Sequence, residues 1–275
     1  MAMQLDELAA EYEVVRGLGS RSAYQVRRSV AVFEGWLGRP ATVEDLDDVL
    51  VSRWLAEIAA NYADWTLNGH RTRLLCLWRY AARRRLADPP GEVRRCPPPT
   101  PMPEAWSLEE VSRLVTATGE LDAVAGRWFR ALILVAYESG LRRGDLWSLQ
   151  RSQIQVTEPV GILVRQHKTG QPHLAPLRPE TVELLLSLPG DTPLACPWGP
   201  KWYGVLWARL RRLAGIPGGG CCQKLRRTGA TWIAASEGMD AASRWLGHQT
   251  PGMVRHYVDL RFAASRPSLP PRVGA

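Results

Sequence analysis

Four short motifs in the second half of the chain combine residue types that suit chemistry on a phosphate ester. They are Ser139-Gly-Leu-Arg-Arg-Gly-Asp-Leu146, Lys168, Leu225-Arg226-Arg227-Thr228, and Leu246-Gly-His248 with Tyr257 nine residues later. Planar guanidinium groups pair with phosphate oxygens through two parallel hydrogen bonds. A tyrosine oxygen becomes a nucleophile when cationic neighbours favour the phenolate. The motifs therefore predict one site where arginines hold a phosphate ester and a tyrosine attacks it.

Each motif alone has an ordinary structural explanation. Gly-Leu-Arg is common at helix ends, Gly247 could end a helix with His248 packing locally, and a tyrosine in a C-terminal helix is usually part of a core. Their fixed order and spacing within one half of the chain favour a shared site. The net charge of +8 and the pI of about 9.6 independently favour a polyanionic partner.

Taken together, the motifs resemble those of the tyrosine recombinase, or phage integrase, family, especially its two-domain Xer-like members. That family has a GLRxxEL box, a lysine in a β-hairpin, an HxLRH/RT box, and LGH with a tyrosine nine residues on. The resemblance covers the whole chain and implies a site-specific recombinase that cuts and rejoins double-stranded DNA through a 3′-phosphotyrosine, without metal, ATP or another cofactor. It also implies a homotetramer in the synaptic complex and a monomer or weak dimer when free.

The resemblance assigns a role to each matching residue. Arg142 and Arg226 would pair with the nonbridging phosphate oxygens, and His248 would donate a hydrogen bond to one of them. Tyr257 would be the nucleophile. Lys168, at the tip of the hairpin, would protonate the departing 5′ oxygen.

Two further positions complete the expected site. Asp145 stands where the family has Glu or Asp and would orient another side chain rather than contact DNA. Gln223 departs from the family pattern, because the position three residues before Arg226 is usually His and sometimes Lys. Glutamine donates a hydrogen bond but does not titrate near neutrality, so we expect slower chemistry rather than none. Lys224, the next residue on a helix, would point about 100° away.

The sequence pattern of the second half of the chain predicts a mostly α structure with a small antiparallel sheet. A capping box at Ser107–Glu110 opens one helix, and a strongly apolar helix follows at Trp128–Ser139. Gly161–Val164 and His173–Leu177 flank the polar turn Lys168–Gln171 and predict a hairpin. The later helical patterns are Pro179–Leu188, Trp202–Ala214, Gln223–Gly238 and Asp240–Leu246.

The sequence pattern of the first half predicts an all-helical bundle. Its apolar residues have helical spacing in two stretches, Val26 to Leu37 and Leu67 to Ala81, and Asp45–Ala60 is a third candidate. We expect residues 1–10 to precede the bundle. The prolines between Cys96 and Pro103 forbid a helix. The predicted organisation is a core-binding domain at 1–95, a linker at 96–104 and a catalytic domain at 105–275, in a mainly α fold.

The last helix of the first half, Asp64 to Leu86, has a basic face. His70 and several arginines lie on it, and acidic residues are nearly absent from the segment. We interpret this face as tracking DNA phosphates, and the alternative is a solvated helix surface. The residues predicted to contact DNA are Arg71, Arg73, Arg83 and Arg84.

Several other classes are disfavoured. The longest apolar run, Ala131–Tyr137, is far shorter than the roughly 20 residues that span a bilayer, and we expect a cytoplasmic protein with no membrane partner. Neither a Walker lysine motif nor the carboxylate cluster of a two-metal nuclease occurs. Two rivals remain: a DNA-relaxing enzyme of the type IB topoisomerase class, and a DNA-binding protein whose active site has weakened. The target sequence and biological role stay open.

Overall fold

The computed structural model describes residues 2–97, 102–165, 170, 172–220, 222–247, 251–259 and 262. They form two compact units, an N-terminal unit (Met1–Pro101) and a C-terminal unit (Met102–Ala275). Both consist mainly of helices, and a small antiparallel sheet lies in the second, so the predicted fold class is confirmed. Within the described ranges, no helix is long and apolar enough to cross a membrane.

The described part of the N-terminal unit contains four α-helices. They are α1 (Leu5–Arg16), α2 (Ser20–Leu37), α3 (Asp48–Ile58) and α4 (Asp64–Arg83). The expectation that residues 1–10 precede the bundle is wrong, because α1 begins at Leu5 and buries Leu5 and Leu8 completely. Asp6 and Glu7 lie in its first turn, where acidic side chains interact favourably with the helix dipole.

An aromatic core holds these helices together. Phe33 of α2 and Trp54 of α3 are fully buried, with their rings edge to face and their centroids 5.1 Å apart. His70 of α4 is also buried, and its Nδ1 lies 3.0 Å from the hydroxyl of Ser29. Burial lowers the pKa of His70, and the nearby charge of Arg73 acts in the same direction. The prediction that His70 lies on the basic face is therefore wrong.

The C-terminal unit surrounds one long apolar helix. Its α-helices are α5 (Leu108–Ala117), α6 (Ala123–Ser139), α7 (Arg143–Trp147), α8 (Pro179–Leu186), α9 (Pro200–Leu213), α10 (Cys222–Glu237) and α11 (Met239–Trp245). A 3-10 helix, Pro251–His256, follows α11 in sequence. Phe129, Leu132 and Ile133 of α6 are completely buried at the centre of the core. All the helices predicted for this unit are present, with ends shifted by a few residues. The short α7 was not predicted.

The sheet has three antiparallel strands in the order β1 (Ile154–Gln155), β2 (Gly161–Arg165) and β3 (Pro172–Pro176). The predicted hairpin between β2 and β3 is confirmed, and Val164 pairs with His173 near its tip. Strand β1 was not predicted, because two residues are too few to show an alternating pattern. Lys168, in the turn of the hairpin, lies outside the described residues.

Candidate active site

Arg226 lies at the centre of the candidate site and connects the first, third and fourth motifs. It projects from α10 and is 1% exposed. Its guanidinium donates one hydrogen bond to the carbonyl of Gly140 and another, of 3.1 Å, to the carbonyl of Leu246. These two carbonyls lie at the C-terminal ends of α6 and α11. The arginine thus satisfies orphan carbonyls at two helix ends and fixes both ends beside it.

The Trp245 ring packs so closely against Gly140 and Gly229 that neither position has room for a side chain. A Cβ on Gly140 would lie 2.4 Å from the Trp245 ring, and one on Gly229 would lie 2.5 Å from it. Gly140 also ends α6 in the left-handed conformation, with φ of 59°. The indole N–H donates to the carbonyl of Glu138 at 3.0 Å. Close contact of α6, α10 and α11 therefore depends on the absence of side chains at both glycines.

Tyr257 lies directly against Arg226. The guanidinium carbon of Arg226 is 5.0 Å from the centroid of the tyrosine ring. Tyr257 follows the 3-10 helix, and its backbone N–H donates to the carbonyl of Val254 at 2.8 Å. Val254 and Val258 are buried with Leu246 in a small apolar cluster. This cluster holds the half-buried phenol next to the arginine.

The electrostatic environment favours the phenolate of Tyr257. Burial alone would raise the pKa of the phenol. The charges of Arg226 and Arg142, together with hydrogen bonds from Gln223 and Arg226, outweigh burial and lower the pKa of Tyr257 below its ordinary value. A lowered pKa increases the phenolate fraction of Tyr257 at neutral pH.

Arg142 and Asp145 flank this pair from the segment that includes α7. Arg142 is the N-cap residue of α7 and is half-buried, whereas Asp145 within the helix is 4% exposed. Burial and the like charge of Arg142 lower the pKa of Arg226 to about 10, which still leaves it cationic at neutral pH. The charge of Asp145 acts in the opposite direction and helps to keep Arg226 protonated. The carboxylate thus favours the charged form of Arg226.

Gln223 contacts Tyr257. It lies on α10 one turn before Arg226, and its side chain makes a hydrogen bond with Tyr257 that lowers the pKa of the phenol. Lys224, the next residue, has its Nζ 3.4 Å from a carboxylate oxygen of Glu104 and 5.2 Å from the ring centroid of Trp106. Gln223 therefore places an amide, which does not titrate near neutrality, against the tyrosine oxygen.

Two predicted site residues, Lys168 and His248, lie outside the described residues, and their roles stay predictions. Arg143, which follows Arg142, is exposed, with its guanidinium carbon 5.0 Å from the ring centroid of Trp147. Arg227 is half-buried and His256 is exposed. The described part of the chain contains no group of three or more His, Cys, Asp or Glu side chains that could hold a metal ion.

His173 on β3 was missed in the sequence. Burial lowers the pKa of its imidazole, and so do the nearby charges of Arg226 and Arg142. A hydrogen bond to the backbone of Trp245 acts in the opposite direction. His173 thus lies among the site residues. The only available signal was its position five residues after Lys168 on a predicted strand, which does not distinguish a strand residue from a site residue.

The arginines of α4 differ in their surroundings. Arg71 donates to the carbonyls of Arg94, at 2.7 Å, and Val93, at 3.3 Å, and Arg84 pairs with Glu11. Arg73 is half-buried, and Arg83 is exposed. Arg71 and Arg84 therefore have intramolecular partners that the sequence did not reveal.

The chain is similar to two curated recombinases in sequence and to several solved structures in fold. No protein-family model matches the chain. The tyrosine recombinase XerD of Ralstonia nicotianae is 28% identical over 172 residues, which cover 62% of this chain and 55% of that relative. XerD of Pseudomonas putida is 26% identical over 281 residues, covering 94% of this chain and 93% of that relative.

Solved structures show the same fold. A lambda integrase tetramer bound to a Holliday junction matches with a TM-score of 0.74 at 19% identity, covering 94% of this chain and 78% of that one. The XerH recombinase in a post-cleavage complex with palindromic difH matches with a TM-score of 0.73 at 15% identity, covering 95% and 82%. Both matches extend over nearly the whole chain.

Proposed function

We propose that this chain, which is similar to tyrosine recombinases in sequence and to integrases in fold, is a tyrosine recombinase that cuts and rejoins DNA at specific sites through a 3′-phosphotyrosine intermediate. The observation that supports this most strongly is the contact of Tyr257 with Arg226, 5.0 Å from ring centroid to guanidinium carbon. One cation there lowers the pKa of the nucleophile and is also suited to hold its target.

In the proposed cleavage step, the phenolate oxygen of Tyr257 attacks the scissile phosphorus and forms a new P–O bond. The bond from phosphorus to the 5′ oxygen breaks, and Lys168 gives that oxygen its proton. Negative charge on the nonbridging oxygens increases in the transition state. Arg142, Arg226 and His248 stabilise this charge by hydrogen bonds.

Rejoining reverses the same chemistry on a second DNA end. A 5′ hydroxyl attacks the phosphotyrosine, its proton passes to Lys168, and Tyr257 leaves as the phenolate. Because the phosphotyrosine ester keeps the free energy of the original phosphodiester, neither step requires ATP hydrolysis. We further propose double-stranded DNA as the partner, with a homotetramer in the synaptic complex.

The proposal is tested with nicked DNA duplexes of randomised sequence. Cleavage just before the nick releases a short fragment with a 5′ hydroxyl, and the protein stays covalently attached to the DNA. Attachment to a subset of sequences supports a site-specific recombinase. Attachment without sequence preference favours the topoisomerase-like rival, and binding without attachment favours the weakened DNA-binding protein.

Gln223 should set the rate of the first step. We expect Gln223→Leu to slow covalent attachment about tenfold, because the hydrogen bond to Tyr257 is lost. Gln223→His should accelerate attachment about tenfold and add a pH dependence near the imidazole pKa of about 6.5. The rate on a nicked duplex, measured from pH 5.5 to 8.5 for all three proteins, checks this. Identical rates and pH profiles would show that the position is catalytically silent.

The basic face of α4 should contribute affinity without sequence preference. We expect Arg83→Gln to weaken binding to all duplexes alike and to reduce the slope of log affinity against log salt by about 0.9, the loss of one phosphate contact. Arg71→Gln is the comparison variant. In addition to weakening DNA binding, Arg71→Gln should lower the melting temperature, because it removes the hydrogen bonds to the Val93 and Arg94 carbonyls. A salt slope unchanged by Arg83→Gln would assign this face to solvent.

A further inference from the structure

Asp259 is fully buried two residues after the proposed nucleophile. We propose that Asp259 is a positioning residue, which fixes the segment of Tyr257 against α10 and against the first residues of the C-terminal unit. This inference rests on the proposed function of Tyr257. It goes further by assigning a role to a carboxylate that belongs to none of the four motifs.

The backbone and the side chain of Asp259 bond to different segments. Its N–H donates to the hydroxyl of Thr231 at 2.9 Å, and its Oδ2 accepts the N–H of Ala105 at 2.9 Å. Thr231 lies on α10, the helix of Arg226 and Gln223, and is itself fully buried. One residue therefore ties the nucleophile segment both to the helix of its catalytic partner and to a distant part of the chain.

Hydrogen bonds that do not involve Asp259 also hold the segment of Ala105 in place. The N–H of Trp106, next to Ala105, donates to the hydroxyl of Thr228 at 3.0 Å, and Thr228 in turn donates to the carbonyl of Lys224 at 2.8 Å. Ala105 and Trp106 are 5% and 1% exposed. Ala105 is therefore held in a buried position from which its N–H reaches the carboxylate of Asp259.

The position of Tyr257 depends on this attachment for a geometric reason. Val258 is the only residue between Tyr257 and Asp259, and it is 1% exposed. A shift of the Asp259 backbone therefore passes directly to the tyrosine and changes its distance from Arg226. Burial of a carboxylate costs free energy unless hydrogen bonds satisfy it. The hydrogen bonds of Asp259 therefore restrain the position of its backbone and side chain.

The first test compares covalent attachment and DNA binding. We expect Asp259→Ala to lower the attachment rate on nicked duplexes about 100-fold, since a displacement of about 1 Å at a reacting group has that effect, while affinity stays within about twofold. Asp259→Asn keeps an oxygen that accepts the Ala105 N–H and should stay within about threefold of the parent rate. Thr181→Val is the matched control, because it removes a buried hydroxyl that bonds to Glu138 elsewhere in the unit.

The second test does not depend on DNA cleavage. The ionisation of Tyr257 is followed by ultraviolet absorption, as the difference between each protein and its Tyr257→Phe counterpart. In Asp259→Ala the pKa of the phenol should rise back toward about 10, whereas Asp259→Asn and Thr181→Val should leave it unchanged. Melting temperatures show whether each variant is folded.

These readouts separate the two proposals. A parent protein that never attaches to DNA would overturn the proposed function, and the titration would still decide the role of Asp259. If the parent attaches and folded Asp259→Ala matches it in rate and in the titration of Tyr257, the positioning role is wrong. If Asp259→Ala does not fold, the role is tested by Asp259→Asn and by Thr231→Val, which removes the acceptor of the Asp259 N–H. Thr231→Val should raise the pKa of Tyr257, and an unchanged value would overturn the proposal.

Discussion

Replacement of Tyr257 by phenylalanine is expected to abolish covalent attachment to DNA, a loss of more than about 10,000-fold, while DNA affinity stays nearly unchanged. The substitution removes one oxygen and no cationic group. The phenyl ring still fills the space beside Arg226 and the small cluster of Val254 and Val258. The rate of attachment to nicked duplexes and the affinity for intact duplexes are the two measurements.

Tyr137→Phe is the matched control for this prediction. Tyr137 is a half-buried tyrosine on α6, and burial raises the pKa of its phenol, in contrast with Tyr257. Its substitution should leave the attachment rate unchanged. Attachment by the Tyr257→Phe protein at the parent rate would mean that another residue is the nucleophile, and the assignment would fail.

Arg226→Lys is expected to lower the attachment rate about 100- to 1,000-fold, the range seen when one donor to a transition-state oxyanion is removed. The ammonium group keeps the charge but lacks the planar fork, so it cannot bond to the carbonyls of Gly140 and Leu246 and also pair with a phosphate. The melting temperature should fall as well, because buried carbonyls lose their partners.

The control for Arg226→Lys is Arg244→Lys, a change of the same type at an exposed position on α11. It should alter neither the rate nor the melting temperature. The pKa of Tyr257 gives a further check, since a lysine set further from the ring should let it rise. An attachment rate within about threefold of the parent for folded Arg226→Lys would show that the phosphate is held by other groups.

The sequence predicts the helices and the hairpin because their apolar spacing is local information. The resemblance of its motifs to those of tyrosine recombinases also implies that Arg226 and Tyr257 meet. The packing of Trp245 against Gly140 and Gly229 is different, since it joins α10 and α11 to α6, which lies far from them in sequence. No local pattern at those two glycines distinguishes such a contact from an ordinary helix end.

The contacts that sequence reasoning missed are all long-range. Arg71 looked like a free cation on a basic face, yet it bonds to carbonyls 22 and 23 residues away. His173 and Asp259 sit outside the motifs, and their neighbours become visible only when β3, α10 and the segment at Ala105 are placed together.

The most direct measurement of the central claim is the chemical identity of the link between protein and DNA. A complex trapped on a nicked duplex is digested with protease and nuclease, and the remaining nucleotide-bearing peptide is sequenced by mass spectrometry. The proposed mechanism predicts a phosphodiester from the oxygen of Tyr257 to a 3′ nucleotide end, with a free 5′ hydroxyl on the released fragment. A link to any other residue, or to a 5′ end, would contradict it.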